Sequence, residues 1–260
     1  MNADVLKVES GPVTRLTLNR PEKLNALNRE LGNALIEALL REELRPEVRV
    51  LVIAGAGRAF CAGDDISGSD APDGYDRTEP LTYATLTHYY RIQYALRRVP
   101  KPVVAQVHGY CLGAGMDIVL GSDYAIVDPD AKLGLVFVKR AIAAGMVLLP
   151  GHVGLKQATR LLFEGDTISA HEALALGLIS KVAEAGKLEA EVQELADRLA
   201  EGPTRTYGLI KEGLNRAFFS GLEEQLRFMA FMQNFATRTN DLAEARSAWR
   251  ERRAPAFVGR

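Results

Sequence analysis

The chain has 260 residues, 47% of them hydrophobic, enough to bury the core of a globular protein. Its 32 Lys and Arg balance 33 Asp and Glu, so a formal charge of −1 gives no overall field toward nucleic acid or anionic lipid. Cys61 and Cys111 are too few for a disulfide framework and form no CxxC pair for zinc, the N-terminus has no apolar signal core, and the longest apolar stretch, 141–149, is about half a membrane span; a cytoplasmic protein with no metal is expected.

In chain order, 13–18 reads as a short strand, and Asn19-Arg20-Pro21-Glu22-Lys23 turns the chain. Asn28 then caps a helix with Leu31, Leu35 and Leu39 on one stripe. Residues 48–53 form a nearly continuous β-branched and Leu run, as in a strand covered on both faces, and 101–107 repeats that pattern. Between them, 67–80 carries Asp70, Asp73, Asp76 and Glu79 with few large apolar groups and reads as an exposed loop, followed by a helix over 81–99. A strand over 124–127 and helices over 155–163, 170–176 and 188–200 come next. From Pro203 strand-like runs stop, and helical segments continue through Phe218, Phe228, Phe231, Phe235 and Trp249 to a basic end. That aromatic tail needs a core or another subunit to cover it.

Both buried-strand runs break at a Cys-x-Gly turn: Arg58-Ala59-Phe60-Cys61-Ala62-Gly63-Asp64-Asp65-Ile66, then Gly109-Tyr110-Cys111-Leu112-Gly113-Ala114-Gly115-Met116-Asp117-Ile118. A glycine turn from strand into helix leaves backbone N–H groups without intrahelical partners. Two such turns side by side would make a two-donor cradle for a carbonyl oxygen taking on negative charge; the plainer alternative is that the glycines merely let strand meet helix closely. Other motifs are missing. Gly55-Ala56-Gly57 and Gly113-Ala114-Gly115 lack the third glycine of a dinucleotide fingerprint, with Phe60 and Ile118 in its place. There is no phosphate-binding P-loop, no G-x-S-x-G elbow, and no zinc-protease spacing among His88, His108, His152 and His171. His108, at a strand end, reads as structural.

At these turns the sequence resembles the crotonase (enoyl-CoA hydratase/isomerase) superfamily. The likeness runs nearly end to end, through Leu18-Asn19-Arg20-Pro21-Glu22-Lys23-Leu24-Asn25-Ala26-Leu27, the first Cys-x-Gly turn, Lys101-Pro102-Val103-Val104-Ala105, Gly113-Ala114-Gly115, Ser169-Ala170 to Glu172-Ala173, Leu176-Gly177-Leu178 and Glu251-Arg252-Arg253. It implies an α/β fold: a spiral of ββα turns over 1–200 with the acyl-CoA site, and a helical region over 201–260 that assembles trimers, commonly paired into hexamers. The implied ligand is an acyl-CoA thioester, with coenzyme A entering as part of the substrate and no permanently bound cofactor; no nucleic-acid or membrane partner is expected. By the same matching, the oxyanion donors are the backbone N–H groups of Asp64 and Ala114. Substrate and nucleotide contacts fall on Lys23, Leu24, Ala26, Ala62, Gly63, Asp64, Asp65, Ile66, Gly113, Ala114 and Phe137, with Trp249 and Arg252 matching positions that reach a neighbouring subunit's CoA.

Family hydratases hold one water between two glutamates. The first position is Asp117 here, and the second falls on Phe137. Asp117 is thus the candidate acid/base, its structural alternatives being a helix cap or a pairing with Arg140. Asp123, Asp128 and Asp130 read as structural. The resemblance implies an enoyl-CoA hydratase or isomerase working through a thioester enolate. Thioester hydrolysis, ring cleavage of a ketoacyl-CoA, and CoA binding with little catalysis are the alternatives.

Overall fold

The structure, a computed structural model, describes residues 5–65, 88–218, 221, 223–227, 230 and 240–256. Ile66, the 67–80 segment, the start of the expected 81–99 helix, and Phe228, Phe231 and Phe235 lie outside the described residues.

Strands β1 (Leu6–Glu9), β2 (Val13–Leu18), β3 (Val50–Gly55), β4 (Val103–Val107), β6 (Tyr124–Val127) and β9 (Lys181–Val182) form one sheet in that order, with β1 antiparallel at the edge and every other pairing parallel. A smaller sheet joins β5 (Tyr110–Leu112), β7 (Lys132–Gly134) and β8 (Thr167–Ser169). The chain thus winds from a strand of the large sheet to one of the small sheet and on to a helix: β4, β5, then α3 (Ala114–Gly121); β6, β7, then α4 (Leu149–Glu164). The remaining helices are α1 (Arg29–Glu43), α2 (His88–Arg98), α5 (Ala170–Ala175), α6 (Leu188–Glu201), α7 (Thr204–Phe218) and α8 (Asn240–Glu251).

The unbroken apolar run of β3 is explained by two covered faces. Val50 and Val52 join Val104 and Ile126 under Val192, Ala196 and Leu199 of α6. Leu51 and Ile53 face the main core with Leu31, Leu35 and Leu39 of α1, whose first turn Asn28 caps by accepting from the Leu31 amide at 2.9 Å.

Some boundaries differ from the sequence expectation. The β4 run begins two residues late because Lys101 turns back and donates from Nζ to the carbonyls of Glu42 and Arg45 at the C-terminal end of α1. Helix α4 starts at Leu149 rather than at 155, interrupted at Gly154, whose φ of 72° is non-helical. The two- to four-residue strands β1, β5, β7, β8 and β9 are too short to show a period in sequence.

Asp123 is structural, as expected. It accepts from the Val103 amide at 2.9 Å and the Lys211 ammonium at 2.8 Å, and meets the Arg97 guanidinium at 3.4 Å. Asn215 accepts from Arg97 Nε and Nη2 and donates to its carbonyl, so α7 is docked on α2 and β4 by buried polar contacts. Removing one member of such a buried ion pair leaves the other unpaired. Lys211→Ala is therefore expected to lower the unfolding free energy by about 3 kcal/mol, read as a reduced urea midpoint with an unchanged slope.

Candidate functional site

Past β3 and β4 the chain forms the two glycine turns, and backbone hydrogen bonds tie them together. Phe60 N donates to His108 O at 2.9 Å, Cys61 N to Tyr110 O at 3.0 Å, and Leu112 N to Cys61 O at 2.9 Å, so Cys61 and Cys111 become partners in a parallel bridge. The turns then run backbone against backbone. A Cβ on Gly63 would lie 3.0 Å from Leu112 O, and one on Gly113 would lie 3.7 Å from Gly63 Cα; their φ angles of +97° and +51° are also ones that side chains rarely adopt. A Cβ on Gly115 would stand 2.5 Å from Cys61 O, so the first turn of α3 lies directly on the neighbouring strand.

The flanking polar groups are used. Leu27 N donates to Gly63 O at 2.7 Å, Asp65 N to Leu27 O at 2.8 Å, and Gly113 N to Gly134 O at 2.8 Å. The amides of Asp64 and Ala114, one residue after each glycine, have no acceptor among the described residues.

The 20–27 segment is held against the first turn by buried Asn25. Its Oδ1 accepts from the Arg20 amide and its Nδ2 donates to the carbonyls of Ala56 and Ala59, all at 2.8 Å. Ala62 N donates to Leu24 O, and Arg20 pairs with Asp65 at 2.8 Å while donating to Ala26 O. Lys23, Leu24, Ala26, Ala62, Gly63, Asp64 and Asp65 are thereby brought to one end of the sheet with Gly113, Ala114 and Asp117. Phe137, on the 3-10 turn Val136–Arg140, closes this end, its ring 3.5 Å from where a Gly113 side chain would begin. Helix α8 packs on that same turn, with the Arg140 guanidinium 6.0 Å over the ring of half-exposed Trp249. Arg252 is exposed just beyond it. Ile66 lies outside the described residues.

Asp117 sits in the first turn of α3, only 6% exposed, and its carboxyl group makes neither a cap nor an ion pair among the described residues. Arg140, its proposed structural partner, lies on Trp249 instead. Burial pushes the Asp117 carboxyl up to about 8, with the charge of Asp64 adding to the shift. Asp64 is itself pushed up by burial to about 7, and its Oδ1 is sealed from solvent without a partner among the described residues. From sequence, Asp64 is expected as an amide donor and substrate contact, with no acid/base role for its carboxyl. The missed signal was a second acidic residue inside an apolar turn where no salt-bridge partner was in view.

Neither cysteine is poised as a nucleophile. Burial pushes the Cys61 thiol up to about 12 and raises Cys111 well above the ordinary thiol range. His108 is structural, its Nε2 lying 2.8 Å from Gly57 O. No group of three or more His, Cys, Asp or Glu among the described residues could hold a metal. A hollow of about 840 Å³ bounded by Arg49, Arg98, Lys101, Arg205, Lys211 and Glu212 lies beside the N-terminal ends of β3 and β4, away from the turns that follow their C-terminal ends.

A winding strand, strand, helix order with two interlocked glycine turns beyond the parallel sheet defines the crotonase class of fold. The sequence profile of the enoyl-CoA hydratase/isomerase family matches residues 9–260, and the chain belongs to that family. It is similar to the 1,2-epoxyphenylacetyl-CoA isomerase of Escherichia coli K12, 37% identical over 259 residues and 97% of each chain. Among solved structures, an enoyl-CoA hydratase from Mycobacterium avium subsp. paratuberculosis K-10 superposes with a TM-score of 0.87 at 29% identity over 98% of each chain. Methylmalonyl-CoA decarboxylase complexed with 2S-carboxypropyl CoA does so at 0.86 and 25% identity over 100% of each. The protein is an acyl-CoA enzyme of the crotonase type.

The buried carboxyl makes stability depend on pH. The folded chain keeps the Asp117 proton up to about pH 8. The unfolded chain loses it near an ordinary carboxylate value of about 4. The stability linked to this proton is present below the unfolded value and is lost as pH rises through the folded one. Asp117→Asn is expected to be more stable than the parent at pH 8, with the difference shrinking toward pH 4, in urea titrations at pH 4, 6 and 8.

Proposed function

We propose that this enzyme shifts the double bond of an enoyl-CoA by proton transfer, with the thioester oxygen between the amides of Asp64 and Ala114 and Asp117 as the acid/base. The observation that carries this reading is the pair of amides without an acceptor among the described residues, each one residue after a glycine at the close approach of the two turns. Removing a proton next to the thioester carbonyl puts negative charge on its oxygen, where each fixed donor is worth roughly 3 kcal/mol, about a hundredfold in rate. Asp117, buried in apolar surroundings, has the raised basicity a carbon base needs near neutral pH. Phe137 occupies the place that the resemblance gives to a second water-holding glutamate, which favours proton shuttling over water addition. The 32% identity to a trans-2-decenoyl-[acyl-carrier-protein] isomerase of Streptococcus mutans supports the same choice. Hydration of a 2-enoyl-CoA is the second reading, favoured by the likeness to a solved enoyl-CoA hydratase.

Coenzyme A enters with the substrate, and the reaction needs no resident cofactor. Lys23 and Arg252 suit its phosphates, with Leu24, Ala26, Ala62 and Asp65 lining the nucleotide path and Trp249 and Arg252 serving a neighbouring subunit. Oligomerisation through the 201–260 region is supported by α7, which exposes Leu209 (67%), Ile210 (55%), Leu214 (50%) and Phe218 (66%). Sedimentation at micromolar concentration is expected to give a trimer or hexamer; a monomer would remove this part of the proposal.

With 3-butenoyl-CoA the enzyme is expected to raise the absorbance of the conjugated thioester, and Asp117→Asn to lower kcat at least about 100-fold with little change in KM. Loss of crotonoyl-CoA absorbance without any action on 3-butenoyl-CoA would replace isomerisation by hydration. Unchanged turnover by Asp117→Asn would remove Asp117 as the acid/base.

A further inference from the structure

A double-bond shift moves a proton between two carbons that are two bonds apart, a task that one carboxyl can carry alone or two can divide. The turn region holds two carboxyl groups. Asp117 stands in the first turn of α3 without a hydrogen-bond partner among the described residues, and Asp64 stands on the adjoining turn with Oδ1 sealed and unpartnered. The turns that carry them approach closely at Gly63 and Gly113, and the Asp64 charge reaches Asp117. Asp64 is the ionisable neighbour that acts on Asp117, the two acids in turn raise the thiols of Cys61 and Cys111, and among the described residues no cation offsets either acid. Like charges in such a space do not both ionise, and a pair of this kind holds one proton over a broad pH range; it rests mainly on Asp117, and the reactive form is the one in which it has passed to Asp64 and left Asp117 ionised.

Building on the isomerase reading above, we propose that the side chain of Asp64 is a second catalytic group, its carboxylic acid donating a proton where the Asp117 carboxylate has not. In a 3-enoyl-CoA, the Asp117 carboxylate takes a proton from C2. The C–H electron pair passes into a dienolate, whose charge rests on the thioester oxygen. Asp64 then gives its proton to C4; electrons of the dienolate form the new C4–H bond and leave C2=C3 in conjugation. Asp117 ends protonated and Asp64 ionised, and one proton passing between them restores the starting pair. No oxidant, metal or further reactant is consumed. The same residue thus stabilises the intermediate through its amide and quenches it through its side chain, and the carboxylate missing at Phe137 is supplied from the opposite turn.

The test is kinetic and isotopic, on 3-butenoyl-CoA and crotonoyl-CoA, with the parent enzyme, Asp64→Asn, Asp64→Ser and Asp64→Glu. For Asp64→Asn and Asp64→Ser the expected result is a fall in kcat of about 100-fold with KM within about threefold, and loss of one limb of the pH profile. Asp64→Glu should partly recover both. In D2O the parent should place solvent deuterium at C4, and Asp64→Asn should lose most of that label per turnover. If Asp64→Asn or Asp64→Ser keeps the parent's kcat, pH profile and labelling, the assignment is overturned; having two variants guards against one of them failing to fold. Parent enzyme inactive on both thioesters would instead overturn the enoyl-CoA reading, and this assignment with it, a failure visible without any variant.

Discussion

At Gly63 and Gly113 two turns come so close that a Cβ on either glycine would stand in van der Waals contact with the other's Cα. A side chain on Gly63 would press on the Leu112 carbonyl, and one on Gly115 would overlap the Cys61 carbonyl. Because the backbones touch, the Cys61–Cys111 bridge can form, and the amides that follow each glycine are left at the same end of the molecule with no acceptor in the described protein. A side chain at Gly63 or Gly115 would push these backbones apart, and a donor displaced by on the order of an ångström costs catalysis heavily.

That contact is held from both sides by groups remote from any chemistry. Parallel pairing of β3 with β4 sets where the turns begin, and α6 and α1 clamp the opposite faces of those strands. Asn25, with its side chain spent on three backbone groups, locks the 20–27 segment against the first turn, while Arg20 fixes Asp65 beside it. Satisfied polar groups thus surround a few unsatisfied ones. Among the described residues of the two turns, the amides of Asp64 and Ala114 and the carboxyl groups of Asp64 and Asp117 are left over, and a thioester with a mobile proton is a partner that would use all four.

Much of this was legible in the residues. The continuous apolar runs at 48–53 and 101–107 announced strands with two covered faces, and Asn28 with its leucine stripe announced α1, because burial and capping are local chemical demands. The paired Cys-x-Gly turns were visible as a repeat, but their contact was not, since it depends on strand register. The small sheet was invisible because strands of three residues carry no period. The side chain of Asp64 was overlooked for a related reason: whether an aspartate in a turn faces water or a sealed interior is decided by what packs over it. Lys101, read as part of a strand, is instead occupied in closing the end of α1.

The most direct measurement is a crystal structure of the protein with a non-reacting acyl-CoA thioester analogue bound. The thioester oxygen should lie about 3 Å from both the Asp64 and the Ala114 nitrogen, with the Asp117 carboxyl beside C2 of the acyl chain. An oxygen held by other groups, or a ligand seated away from the two turns, would contradict the reading at its root.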